Sequence, residues 1–249
     1  MSRNYSLIIA CFILLTGISM KGQDTLRTQS NKWGTELNFN PFNGSLSLNN
    51  SNAQFIIRKF FQNNVALRLA CTVNYIQNNY KSNDPYGTSP INYTERNKAF
   101  TIAINIGTEK HFIGTRRISP YIGWEIGVGY KKSKQEVTNN SNTTTIDGAW
   151  ESDTSFYYGG SYYPTVSYLE RGFWTVGANF VTGFDLYLTK GFYLGYEILF
   201  GIDYFKYSNI DITQSSIPSG TSTTNPKLND ESWKIGPKLV NGIRIGYVF

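Results

Sequence analysis

The chain has 249 residues, 40% hydrophobic and 16% aromatic, with 18 Tyr, 16 Phe, 5 Trp, 23 Gly and 8 Pro, and a formal charge of +6. That is enough apolar material for one sizeable domain. The basic excess is mild and spread along the chain, which argues against nucleic acid as a partner, and a single histidine excludes a zinc site built on two.

The amino end reads as a secretory signal, residues 1–22. Arg3 gives a positive start, Leu7 to Leu15 is almost wholly apolar, and Thr16-Gly17-Ile18-Ser19 ends the run before a cut near Gly22/Gln23. The run is too short to cross a bilayer as a helix. Ile8-Ile9-Ala10-Cys11 loosely resembles a lipoprotein cleavage box, but the apolar run continues past Cys11, as it does inside a signal core. Removing residues 1–22 takes Arg3 and Lys21 and no acid. That leaves 21 bases against 17 acids, about +4, with Cys71 as the sole cysteine and no possible intramolecular disulfide.

A polar leader, residues 23–32, precedes eight expected strands in residues 33–249. They run Trp33 to Leu48 (with a break or bulge at Pro41-Phe42-Asn43-Gly44), Ala53 to Phe61, Val65 to Tyr80, Lys98 to Phe112, Ile118 to Thr138, Gly172 to Thr189, Phe192 to Thr213 and Glu231 to Phe249. Tyr, Phe, Thr, Ile and Val favour strands, and Asn- and Gly-rich breaks separate them. Connections at one end are short. At the other they are longer and mostly Asn/Ser/Thr-rich: Lys81 to Asn97, Asn139 to Arg171 and Gln214 to Asp230. This asymmetry is that of outer-membrane barrels, with short periplasmic turns and long extracellular loops.

Alternation gives each strand two faces. One is apolar: Ile122, Trp124, Ile126, Val128 and Tyr130 in the fifth strand, for instance, or Leu194, Tyr196, Ile198, Phe200, Ile202 and Tyr204 in the seventh. Each stripe matches the roughly 9–11 residues a tilted strand needs to cross the hydrocarbon. Aromatics fall near both ends, Trp174, Trp233, Tyr75 and Tyr204 at one and Phe192 and Phe249 at the other, as interfacial girdles do. The opposite face carries the charge: Glu36, Glu125, Asp185, Glu197 and Asp203 against Arg58, Arg68, Lys234, Lys238 and Arg244, a balanced set expected to pack as ion pairs inside a narrow lumen. A soluble barrel would need the inverse pattern.

On these two-faced strands, the loop asymmetry and the ending Ile243-x-Ile245-x-Tyr247-x-Phe249, residues 33–249 resemble the small OmpA/OmpX-type barrels and the broad outer-membrane β-barrel families of diderm bacteria. The resemblance implies an all-β fold, a transmembrane eight-stranded antiparallel up-and-down β-barrel. It also implies the outer membrane as its location, outer-membrane lipid as its surroundings, and the barrel-assembly machinery as a partner reading Ile243, Ile245, Tyr247 and Phe249. Lipid A deacylases of this size use a His and a Ser two residues apart near the outer surface, whereas Ile113 follows His111 at that spacing, at the turn end. His111 therefore reads as an interfacial residue, and Glu125, Asp185 and Glu197 as members of an ion-pair network.

No catalytic motif and no cofactor site stand out. The longest loop carries Trp150, Tyr157, Tyr158, Tyr162, Tyr163 and Tyr168 among Ser, Thr and Gly, a composition suited to binding an extracellular protein or glycan, or to a loop that packs on itself. The fifth and seventh strands exceed the bilayer need, so Lys131 to Thr138 and Phe205 to Thr213 are expected to project and offer sheet edges. The expected function is a non-enzymatic barrel acting through its loops or as a structural membrane protein. The alternatives are a narrow channel and, third, a barrel enzyme acting on lipid or peptide.

Overall fold

The computed structural model describes residues 26, 31–39, 54–61, 64–84, 91–158, 161–216, 220–224, 230–239 and 243–249. The signal with its cleavage site, most of the leader, the expected break at Pro41 to Gly44 and the middle of the last expected strand lie outside the described residues.

Fourteen strands are described: β1 Trp33–Phe39, β2 Gln54–Phe60, β3 Val65–Asp84, β4 Ile91–His111, β5 Ile118–Asn139, β6 Asn142–Asp147, β7 Trp150–Tyr158, β8 Ser161–Leu169, β9 Phe173–Tyr187, β10 Phe192–Tyr207, β11 Asp211–Ser216, β12 Gly220–Thr224, β13 Glu231–Leu239 and β14 Ile243–Val248. β1 to β5 pair in sequence, β5 pairs β9, and β9 pairs β10. β10 pairs β14 low on its length and β13 higher up, and β14 returns to β1. All pairings are antiparallel, so eight positions close into a ring, with β13 and β14 sharing the last. The seam is sealed by Trp33 and Phe249, each donating its backbone N–H to the other's carbonyl at 3.1 and 2.9 Å. Closure removes free edges, which a strand in hydrocarbon cannot leave unpaired.

The faces are inverted relative to a soluble protein. Outward-pointing Ile126, Val128 and Phe200 are 51%, 58% and 54% exposed, in an apolar belt around the ring that is far larger than the patches soluble monomers show. Inward positions such as Glu125, Gly129, Glu197 and Gly201 are charged or small and are buried.

Above Trp174, which is opposite Tyr130 in the ladder and packs edge-on to Tyr204, the sheet changes partners. β5 pairs β9 over Ile118 to Lys131, then β6 over Lys134 to Asn139. β11 continues past β10 by pairing β6, and β12 pairs β11. Three backbone hydrogen bonds make the step: Gly148 N–H to Ser133 C=O, Gly172 to Gly148 and Ser208 to Gly172, at 2.9, 2.7 and 2.8 Å. Gly148 holds φ at +98°, a left-handed backbone that suits glycine. Much of what reads from sequence as the loop 139–171 is therefore strand. β6 follows a tight turn in which Asn140 takes φ +52°, a conformation asparagine tolerates, and β7 and β8 form a hairpin of their own. The expected loop 81–97 likewise shortens, because β3 and β4 stay paired out to Asp84 and Ile91. A small core of Ile146, Ala149 and Ile210, with Tyr168 and Ile212 against it, ties these added strands together.

Candidate functional site

Inward alternation in β1, β2, β3, β4, β5, β9, β10 and β14 brings three arginines and five carboxylates to one level of the lumen, all at 2% exposure or less. Arg68 sits at the centre. Its Nη1 lies 2.8 Å from Glu109 and 2.9 Å from Glu197, its Nη2 donates to the second oxygen of Glu197 at 3.0 Å, and its Nε is 3.2 Å from Glu125. The paired bonds to Glu197 use the planar fork that distinguishes arginine from lysine. Arg58 bonds Asp185 at 2.7 Å, approaches Glu109 at 3.4 Å and contacts Glu36. Arg244 bonds Glu36 at 2.6 Å and Asp185 at 3.1 Å, with Glu197 at 3.6 Å. Tyr121 is the hinge between them: its hydroxyl donates to Glu197 at 2.8 Å and accepts from Arg244, while its ring lies 5.0 Å from the Arg58 guanidinium and 5.4 Å from that of Arg244.

Such large side chains fit because glycines face them across the ladder. Gly195 is opposite both Asp185 and Arg244. A Cβ there would lie 2.6 Å from Arg244 Nη2 and 2.9 Å from Asp185 Oδ1. A Cβ at Gly183 would lie 2.6 Å from the Tyr121 hydroxyl. The glycines clear the cross-strand space that the charged groups occupy.

Of the ten charged residues expected inside, Glu36, Arg58, Arg68, Glu125, Asp185, Glu197 and Arg244 meet in this cluster. Asp203 and Lys238 form a separate pair higher up, at 2.6 Å, and Lys238 also donates to Asn179 at 2.7 Å, which in turn donates to Glu125 at 3.0 Å. Lys234 stands exposed, its ammonium 4.8 Å from the Phe205 ring. The cluster is not balanced: three guanidiniums face five carboxylates, because Glu109 joins and two of the five expected bases, Lys234 and Lys238, lie outside it against only one of the five acids, Asp203. Glu109 shares the inward parity of Gly107 and His111 and was legible on that ground. His111, too, is buried, at 7%. Its Nδ1 lies 2.9 Å from Ser119 Oγ and its Nε2 3.3 Å from Glu109, between the rings of Phe60 and Tyr121.

Above the cluster the lumen opens into a cavity of about 180 Å³ lined by Asn105, Thr175, Asn179, Asp203, Phe205 and Lys238. Further along β5, beyond the residues that line this cavity, the β7 strand is clamped to its inner face. Gln135 accepts from the Glu151 N–H at 2.7 Å and donates to its carbonyl at 3.1 Å. Trp150, buried, donates its Nε1–H to the Lys98 carbonyl at 3.0 Å. Tyr168 packs on the small outer core, whereas the side chains of Tyr157, Tyr158, Tyr162 and Tyr163 lie outside the described part of the β7–β8 hairpin. Beside the clamp, Glu95 accepts from Asn97 at 2.6 Å, Gln135 at 3.0 Å and Tyr93 at 3.0 Å. Partial burial pushes its carboxyl pKa up, but these three donors outweigh it and hold the group below the usual carboxylate range.

At the chain end Ile245, Tyr247 and Phe249 point outward into the apolar belt, with Arg244, Gly246 and Val248 inward. A family model described as OmpA-OmpF-like porin matches residues 44–216, well over half the chain. No curated protein matches it.

Proposed function

The chain belongs to the OmpA-OmpF-like porin family, and from that premise we propose that it is a closed, non-conducting barrel of the bacterial outer membrane that acts through its projecting sheet and hairpin. The observation that carries this is the cluster around Arg68: eight charged side chains, at 0–2% exposure, fill one level of the lumen. Eight strands leave an interior just wide enough for side chains, and these are cross-linked by charge-assisted bonds. The projecting end, with β6 to β8, β11 and β12, faces outward from the cell and the short turns face the periplasm, in keeping with barrel loop asymmetry. The partner at the projecting end is an extracellular protein or glycan. The protein reaches its place through a cleaved signal and the barrel-assembly machinery reading the Phe249 end.

A non-enzymatic role fits the constellation that most resembles a catalytic group among the described residues. Ser119 and His111 are buried at 6% and 7%, and Glu109 is occupied by Arg58 and Arg68. A second reading, a narrow channel, draws on the family description and on the outer cavity of about 180 Å³. Planar-bilayer conductance of refolded protein, its folding shown by different gel positions boiled and unboiled, decides between them. Silence is expected; reproducible single-channel steps would displace the closed-barrel reading.

A further inference from the structure

The outward face of β4 and β5 changes character just past the aromatic ring of the belt. Tyr75, Phe100 and Tyr130 are 57%, 40% and 47% exposed on that face. Two residues further along, the same alternation places Lys98 and Lys132, and then Arg96 and Lys134. The buried Ala99, Ser133 and Gln135 fix the intervening positions as inward. Phe100 is opposite Lys132, and Lys98 is directly opposite Lys134. Like charges facing each other across a ladder destabilise it.

Three other bases at this rim have acids: Lys131 pairs Glu170, Arg171 pairs Asp230, and Lys206 reaches Glu231 at 4.0 Å. Among the described residues Lys98, Lys132 and Lys134 have no ion-pair partner. The acids nearest in register, Glu136 opposite Arg96 and Asp147 opposite Lys134, form none with them.

We propose that Lys98, Lys132 and Lys134 bind the phosphate groups of an outer-leaflet glycolipid whose acyl chains lie against Phe100, Tyr130 and the apolar belt below. Charge complementarity and continuity with the belt both select this occupant. A lipid phosphate sits just beyond the hydrocarbon, which is where these ammoniums stand, and lysine stems reach along apolar surface to keep their heads there. The inference rests on the membrane placement and orientation proposed above, but not on whether the lumen conducts.

The test titrates the folded full chain in neutral detergent with diphosphoryl lipid A and with its dephosphorylated form, reading bound lipid by native mass spectrometry. Each lysine near a charged lipid surface contributes about fivefold, so a preference of roughly a hundredfold for the phosphorylated lipid is expected. That preference should vanish in Lys98→Gln/Lys132→Gln/Lys134→Gln and persist when the same number of charges is removed at the other end, in Lys32→Gln/Arg117→Gln/Lys190→Gln. Should the triple variant fail to shift on unboiled gels, Lys132→Gln alone, at an exposed position, carries the test with a drop of about fivefold. Equal binding of the two lipids, a preference that survives in the lysine variants, or full displacement by equimolar free pyrophosphate would overturn the proposal; the last would mark a soluble-anion site. Conductance of the same preparation reports on the closed lumen separately.

Discussion

Replacing Arg68 by methionine removes the cation that touches three carboxylates. After the change Glu197 keeps Tyr121 at 2.8 Å and Arg244 at 3.6 Å, and Glu109 keeps Arg58 at 3.4 Å and His111 at 3.3 Å, but Glu125 keeps only the Asn179 amide at 3.0 Å. The formal excess of two carboxylates becomes three in a water-poor lumen. Removing one partner of a buried charge network costs about 3–5 kcal/mol, and that range is expected here. Glu125→Gln is the counter-experiment. It shortens the excess to one, preserves an acceptor for Asn179 and loses a single 3.2 Å contact, so it should cost about 1 kcal/mol or less. Urea unfolding in lipid vesicles, followed by fluorescence of Trp124 and Trp174 on the outer belt and by the unboiled gel shift, measures both. Similar costs for the two variants, or an Arg68→Met variant within about 1 kcal/mol of the parent, would mean that water already replaces these contacts and that the lumen is not a dry plug.

Three further outcomes are expected. Gly195→Val should destabilise the ring by about 1–3 kcal/mol in the same unfolding assay, because its side chain would enter the space of Arg244 and Asp185; an unchanged midpoint would show that the cluster has room to move. Gln135→Ala should free β7 from β5 by removing two hydrogen bonds to Glu151, speeding limited proteolysis within 150–169 while the ring stays resistant; an unchanged cleavage rate would count against the clamp. Because the folded-state pKa of Glu95 lies below its unfolded value, the stability it contributes is present above the ordinary carboxylate range and is lost as pH falls through the lowered folded value. Hydrogen exchange over 91–97 and 131–139 should accelerate on acidification in the parent more than in Glu95→Gln, and parallel pH profiles would refute this.

Alternation is a local property, and the apolar stripe from Ile122 to Tyr130 could be read without any partner strand. So could the inward parity of Arg58, Arg68, Arg244, Glu125 and Glu197, and equally that of Glu109, which follows from its neighbours Gly107 and His111. The projecting strands are less legible. Asn142–Asp147 and Asp211–Ser216 are polar on most positions, so no contrast between faces separates them from a loop. They are strands because backbone groups find partners in β5, β6 and β11 beyond the point where β9 ends. The hairpin Trp150–Leu169 is hidden for another reason: β7 and β8 pair with each other, and what ties them to the ring is Gln135 on the Glu151 backbone, the Trp150 indole on the Lys98 carbonyl and Tyr168 on the small outer core, contacts that no period in the sequence shows.

By itself, then, the order of residues determined the two-faced strands, the inverted distribution of greasy and charged positions, and the end at which the chain projects. These depend on periods of two and on composition, which each segment carries alone. Only the tertiary structure decided which charges meet. Arg244 reaches Glu36 across 208 residues of sequence because the last strand closes onto the first, and Arg68 grips Glu197 across 129 because ring curvature aims both inward at one level. Register and closure are collective properties of all eight positions. They convert a list of inward charges into a network with two carboxylates to spare, and among the described residues they leave Lys98, Lys132 and Lys134 without an ion pair on the outer face.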